Sequence, residues 1–248
     1  AVSEAGGLGV VQPIGRAFGR FPAFDAPPLE TRRTLTVLMY HSISDDPEPA
    51  FSPYYKVCTS PARFAEHMQW LKEAGWQGVT LSEGLAALRK EESNKNQVPG
   101  KEADSNKGMS PVGKNPKPIA ITFDDGFRDF HTAAFPVLER QGFAATMYVP
   151  TAFIGDSRKK FKDREFLTWT EIEELRHAGM EFGSHTVNHP VLVKLDWSEI
   201  EMELRDSKST LEQRLQSKAV AFAYPFAYPQ ENRDYCVRLA AILRKVGY

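Results

Sequence analysis

Apolar positions along the chain follow two alternating rhythms. Short apolar runs bounded by turn residues, as expected of buried strands, recur between longer stretches whose apolar positions repeat every three or four residues, as on one helix face. The first run, "TLTVLMYHSI" from Thr34 to Ile43, reads as a strand that stops on the imidazole of His41. "SPARFAEHMQWLKEAG" follows as a helix, with Ser60 as N-cap, Pro61 in its first turn, Phe64, Met68 and Leu71 on one face and Gly75 as its stop. "GVTL" near Val79 predicts a short strand and residues 82–89 a short helix. "PIAITFDD" predicts a strand, "DFHTAAFPVLERQG" a helix interrupted or begun at Pro136, and "AATMYVP" a strand. "TEIEELRHAG" predicts a helix capped by Thr170 with Glu173, and "MEFGSH" a strand. The next helix is capped by Asp196 with Glu199 and carries Ile200, Leu204, Leu211 and Leu215 in one stripe. "AVAFAYP" then predicts a strand and residues 235–246 a last amphipathic helix.

This alternation, with short connections, is the pattern of a parallel sheet covered by helices, either doubly wound or closed into a β/α barrel. The folded domain is expected over 34–248. Residues 1–33, rich in Gly, Pro and Arg, read as an extended arm, and the polar tract 90–118 as a long solvated loop. The chain stops at "RKVGY", where a further strand would be expected, so the final strand of the sheet is expected to be absent.

With 248 residues, 42% hydrophobic and 25% charged, and a formal net charge of -1, the chain can bury a sizeable core and has no clustered basic surface. That balance argues against a nucleic-acid partner, whose binding depends on neutralising phosphates. No run is long and apolar enough to cross a bilayer, and "AVSEAGGLGVVQ" lacks the layout of a signal peptide, so the chain is either cytoplasmic or a mature form. Cys58 and Cys236 neither make a disulfide framework nor exclude one bridge.

Candidate chemistry collects where the strands end, the place of catalytic groups in parallel α/β architectures. These ends carry His41, Asp124-Asp125-Gly126, Ser184-His185 with His189 four residues on, and Ala223-Tyr224-Pro225. Asp-Gly is a common turn pair, but two adjacent carboxylates repel unless a cation or proton lies between them. Two imidazoles four residues apart can converge on one ion, and two His with one carboxylate suit a catalytic divalent transition metal, leaving the other carboxylate free as a base. His67 and His177 sit within helices, His131 just after a strand, and only His41 at a strand's C-terminal end. Phe127, Trp169 and Trp197 could stack on sugar rings or simply pack in the interior.

"TFDDG" (Thr122 to Gly126), "SHTVNHP" (Ser184 to Pro190) and "FAYP" (Phe222 to Pro225), in that order, resemble the three motifs of the polysaccharide deacetylase, or NodB-homology carbohydrate esterase, family. The resemblance extends over residues 35–248. It implies a distorted (β/α) barrel that removes acetyl groups from sugars with a bound divalent metal. Carried over, it implies Asp125, His185 and His189 as metal ligands, Asp124 as general base and the Tyr224 backbone N–H as oxyanion donor. The metal would be zinc, with nickel or cobalt as alternatives. The acid His found late in most members has no counterpart after His189. A circularly permuted subgroup places it first, in a "YH" motif that "VLMYHSI" resembles, which implies His41 as general acid. That subgroup deacetylates poly-β-1,6-N-acetylglucosamine of biofilms. It implies an extracellular or cell-surface location, membrane or surface association through sequence before residue 1 and a polysaccharide partner; the chain is expected to be a monomer. Deacetylation of peptidoglycan, chitin oligomers or an O-acetyl ester, or an inactive carbohydrate-binding relative, are the alternatives. "FAYPFAYP" has Ala227 where the third motif usually has Gly, so the loop beside Tyr224 departs from the pattern.

Overall fold

The computed structural model describes residues 34–46, 57–95, 117–161 and 164–248. The expected arm over 1–33 and the middle of the 90–118 tract lie outside these residues. The elements, in chain order, are β1 (Thr36–Tyr40), β2 (Ser42–Ile43), β3 (Cys58–Thr59), α1 (Pro61–Glu73), β4 (Trp76–Val79), α2 (Leu81–Lys95) and β5 (Lys117–Phe123). A π-helical turn, Phe130–Ala134, leads into α3 (Phe135–Gln141), followed by β6 (Thr146–Val149), the short pair β7 (Lys160–Phe161) and β8 (Arg164–Glu165), α4 (Trp169–His177), β9 (Glu181–Ser184), α5 (Trp197–Leu215) and α6 (Arg233–Val246).

The main sheet is parallel, with path β1-β5-β6-β9, and β4 also pairs with β5. β5 is the centre: β1 runs along it from Thr36↔Ile119 to Tyr40↔Phe123, while β4 takes the first half of its other edge and β6 the last two residues. Five consecutive buried residues of β5 form the continuous apolar run expected of a parallel strand covered on both faces. Phe64, Met68 and Leu71 of α1, Ile121 and Phe123 of β5, Met147 of β6 and Ile172 of α4 join one core, while Ile200, Leu204, Leu239 and Ile242 form a second between α5 and α6. Among the described residues the strand path runs from β1 to β9 without closing on itself. No helix among them is long and apolar enough to cross a membrane.

Several elements differ from the expectation for local reasons. The predicted strand over "AVAFAYP" is one parallel bridge, Ser184↔Phe222, because the segment pairs on one side only and Pro225 brings no N–H to continue a ladder. The box that starts α4 is Thr168 with Glu171, not Thr170 with Glu173: Thr168 has the extended backbone a cap needs, and Thr170 already lies inside the helix. Thr80 and Glu83 exchange the same pair of bonds ahead of α2, which starts the helix at Leu81 and carries it to Lys95, into the tract expected to be loop. Pro136 cannot donate to the preceding turn, and the chain enters α3 through the wider π turn, with the Phe135 N–H on the Phe130 carbonyl. No bond joins Cys58 to Cys236; Arg164 donates to the Cys58 sulfur at 2.7 Å and Cys236 donates to the Pro229 carbonyl at 3.4 Å.

Candidate metal centre

Register places the first pair of groups. Tyr40 lies opposite Phe123, and the Asp124 N–H donates to the Tyr40 carbonyl at 3.1 Å, so the next residues, His41 and Asp124, leave the sheet side by side. Their side chains face each other, with His41 Nε2 3.9 Å from Asp124 Oδ2. Asp124 is 7% exposed; burial pushes its carboxyl above the usual range, and the nearby His185 and His41 oppose that shift.

The second group comes from two strands with β6 between them. Asp125 follows β5 and turns sharply, with φ 75° at Asp125 and 72° at Gly126. Only glycine fits the second of these without strain, and a side-chain carbon there would meet Val149 at 3.1 Å. The turn is pinned from the far side by Leu167 N–H on the Gly126 carbonyl. His185 follows β9, its N–H on the Val149 carbonyl and its Nδ1 2.9 Å from the Ala223 carbonyl. That bond puts a ring proton on Nδ1, so whenever the ring is neutral its lone pair lies on Nε2, the arrangement of a metal-binding imidazole.

Asp125, His185 and His189 each bring one potential ligand atom to a common point, all within 4.8 Å of one another. Asp125 Oδ1 is 3.2 Å from His189 Nε2 and 3.6 Å from His185 Nε2, and the two Nε2 atoms are 3.2 Å apart. Burial works against the charged form of Asp125, but hydrogen bonds from both imidazoles and the charge of His41 hold its carboxyl well below the usual range. Burial likewise opposes a charged His185, and the Asp125 hydrogen bond and the Asp124 charge outweigh it and raise its pKa. One carboxylate and two imidazole nitrogens, two of the three residues partly open to solvent, match the donor set and count of a catalytic divalent-metal site. Of the five non-glycine residues with positive φ among the described residues, Asp125, Thr186, His189 and Phe226 are here, and only Gln216 lies elsewhere, ending α5. Strain concentrated in this way is typical of functional loops.

Tyr224 sits one residue after the carbonyl that holds His185, so its backbone borders the site, while its hydroxyl lies 3.2 Å from that of Tyr235. The side chain that reaches the site from this segment is Phe226. It is 56% exposed, in a left-handed backbone, with its ring 4.6 Å from that of His189. Nothing in the strand and helix pattern singled it out; the displaced repeat of "FAYP" was the only hint. His131 is not brought to the site: it lies 3.5 Å from Glu174 and 4.0 Å from Glu171 on α4. His67 meets the Tyr40 hydroxyl and His177 the Glu173 carbonyl one helical turn back. The three aromatic candidates are engaged in packing: Phe127 against Phe166 and Arg164, Trp169 beneath Arg214, and Trp197 between Tyr235 and Arg238.

Fold and site together define an α/β protein with a candidate metal centre at the C-terminal ends of its strands. The family model described as polysaccharide deacetylase matches residues 112–248, more than half of the chain, and the chain belongs to that family. The Bacillus subtilis (strain 168) protein YxkH, provisionally named a polysaccharide deacetylase, is 27% identical over 191 residues, covering 77% of this chain and 56% of its own. Poly-beta-1,6-N-acetyl-D-glucosamine N-deacetylase of Escherichia coli (strain K12) is 29% identical over 160 residues, 61% of this chain and 20% of that protein. The chain thus spans about half of the first relative and a fifth of the second. Among solved structures, the Streptococcus pyogenes deacetylase PplD in complex with acetate matches with a TM-score of 0.63 at 26% identity, covering 86% of this chain and 80% of that one.

Proposed function

We propose that this chain hydrolyses N-acetyl groups of an N-acetylglucosamine polymer, with poly-β-1,6-N-acetylglucosamine as its substrate, using a divalent metal held by Asp125, His185 and His189. The observation that carries this reading is the convergence of those three donors beside a buried carboxylate and a facing imidazole at the strand ends. A bound divalent cation would polarise the acetamide carbonyl and make water acidic enough to attack it. In this reading Asp124 accepts, at Oδ2, the proton that the attacking water gives up. His41 then delivers a proton from Nε2 to the amine nitrogen as the C–N bond breaks, leaving acetate and a free amine. The Tyr224 N–H faces the carbonyl oxygen as negative charge develops on it.

The substrate and the extracellular or cell-surface location rest on the "YH" motif at His41 and on the name of the E. coli relative. Acetate in the PplD structure fits the same class of product. Zinc is the expected ion, with nickel or cobalt able to take its place. We extend the reading to the sheet and take its described strands as part of a circularly permuted barrel.

The test is acetate release from β-1,6-linked and β-1,4-linked acetylated glucosamine oligomers, with and without a chelator. The β-1,6 substrate should release acetate, a chelator should abolish release, and added zinc should restore it. Faster release from β-1,4 oligomers would move the substrate to chitin-like or peptidoglycan chains. No release from either by the zinc-loaded chain would overturn the deacetylase reading.

A further inference from the structure

His185 and His189 differ in how they are aimed. His185 follows directly on a paired strand and has its ring fixed by the Ala223 carbonyl. His189 lies at the end of a loop that leaves the sheet, and the chain takes positive φ twice to bring it back, 69° at Thr186 and 53° at His189. A β-branched residue in the left-handed region is strained, at a cost of about 1–3 kcal/mol for such a position, and holds that conformation only when its surroundings fix it.

On one side, the carbonyls of Thr186 and Val187 accept from Thr151 N–H at 3.1 Å and Ala152 N–H at 2.9 Å. On the other side a single carboxylate closes the loop. Glu203 Oε2 accepts from the Val187 N–H at 2.8 Å and the Asn188 N–H at 2.9 Å, and its Oε1 accepts from Asn188 Nδ2 at 2.7 Å. One helical turn further along α5, the Ser207 hydroxyl pairs with that of Ser184 at 2.6 Å, and Ser184 Oγ accepts the Thr186 N–H at 3.2 Å. Inside the loop the His189 N–H donates to Thr186 Oγ1 at 3.0 Å. Glu203 and Ser207, four residues apart on one face of the helix, thus grip the segment from His185 to His189 at its middle and its start.

We propose that Glu203 is a positioning residue: by binding the Val187 and Asn188 N–H groups it holds the 186–189 loop in the strained form that aims His189 Nε2 at Asp125 and His185. The inference rests on the metal reading above and adds to it a group on α5 that makes the ligand trio whole. A carboxylate suits the task because all its lone pairs accept, so one side chain can take three donors. Glutamine keeps one accepting oxygen but turns an amide NH2 toward a donor, and alanine removes every acceptor.

The experiment is a zinc titration of the metal-free protein against a chromophoric chelator, for wild type, Glu203→Gln and Glu203→Ala, with thermal unfolding of the same metal-free samples. Losing an outer partner of a metal ligand costs about 10–100-fold in affinity, and Glu203→Ala is expected near the upper end and Glu203→Gln near the lower. A residue that merely joins α5 to the loop would lower the unfolding temperature of the metal-free protein and leave zinc affinity unchanged. The inference is overturned if Glu203→Ala binds zinc within twofold of wild type, or, should that variant not fold, if Glu203→Gln does. A wild-type chain that takes up no zinc overturns the metal reading itself and this inference with it.

Discussion

Asp125 and Arg128 are three residues apart yet belong to clusters of opposite kind. Arg128 reaches Glu165 at 2.9 Å and Glu171 at 3.3 Å, and Glu171 is also gripped by both terminal nitrogens of Arg158, at 2.5 and 2.7 Å, while it accepts the Thr168 N–H at the start of α4. Every charge there has an opposite partner and a structural task. Around Asp125 no Lys or Arg approaches among the ion pairs of the described residues; one carboxylate oxygen and two imidazole nitrogens point at one another, and the backbone is strained to bring them there. A structural charge cluster is closed by the groups it contains. The Asp125 cluster meets its carboxylate with imidazoles alone, groups that become ligands when neutral, which is what distinguishes a candidate metal centre from a buried ion network.

The largest effect is expected at Asp124, which sits beside the open cluster without joining it. Asp124→Asn is expected to keep the metal and lower acetate release by about 10²–10⁴-fold, the usual worth of a positioned base. Metal analysis beside the rate assay checks both halves, and normal turnover would remove Asp124 from the reaction. His41→Ala removes the facing imidazole and should cost about 10²-fold in rate with metal and fold retained; a fully active variant would return His41 to plain packing.

The closed cluster should respond in stability rather than rate. Burial works against a charged Glu171, but the hydrogen bonds from Arg158 and from the Thr168 backbone bring its pKa from 4.5 down to about 2. A carboxyl depressed in the folded state stabilises it fully above the unfolded value, and that contribution fades as pH falls from 4.5 toward 2. Glu171→Gln should therefore cost about 2 kcal/mol at neutral pH, since hydrogen bonds to a charged group are lost. The same variant should lose less further stability than wild type between pH 4.5 and 2, as read by thermal unfolding across that range. Equal acid sensitivity in the two proteins would show that Glu171 is not the responding group.

Much of the open cluster can be read in the sequence because it follows strand ends, where a short apolar run stops on a ligand-type residue. Asp124-Asp125 and His185 stand where such runs stop and His189 four residues past His185, and the parallel register of β1 on β5 brings His41 beside Asp124. What escaped was whatever depends on direction rather than order. Phe226 reaches His189 only because its backbone is left-handed, and Glu203 reaches the loop only because α5 packs across β9. Glu203 flanks the α5 stripe and Ser207 lies buried within it, but a carboxylate on a helix is most often a solvated one. The frame of the α4 cap shifted by two residues because Thr168 and Thr170 both precede a glutamate by three, and local spacing alone does not choose between them. The strand predicted over "AVAFAYP" shrinks to one bridge because strand length depends on neighbours on both sides, which one segment does not specify.

In the proposed reading the strand-end trio, and not the arginine–glutamate network beside it, holds the ion. Equilibrium dialysis against zinc, on wild type, His185→Ala and Glu171→Gln, tests it most directly. One zinc per chain in wild type and in Glu171→Gln, with none in His185→Ala, is the expected result. Zinc retained at full stoichiometry by His185→Ala would contradict it.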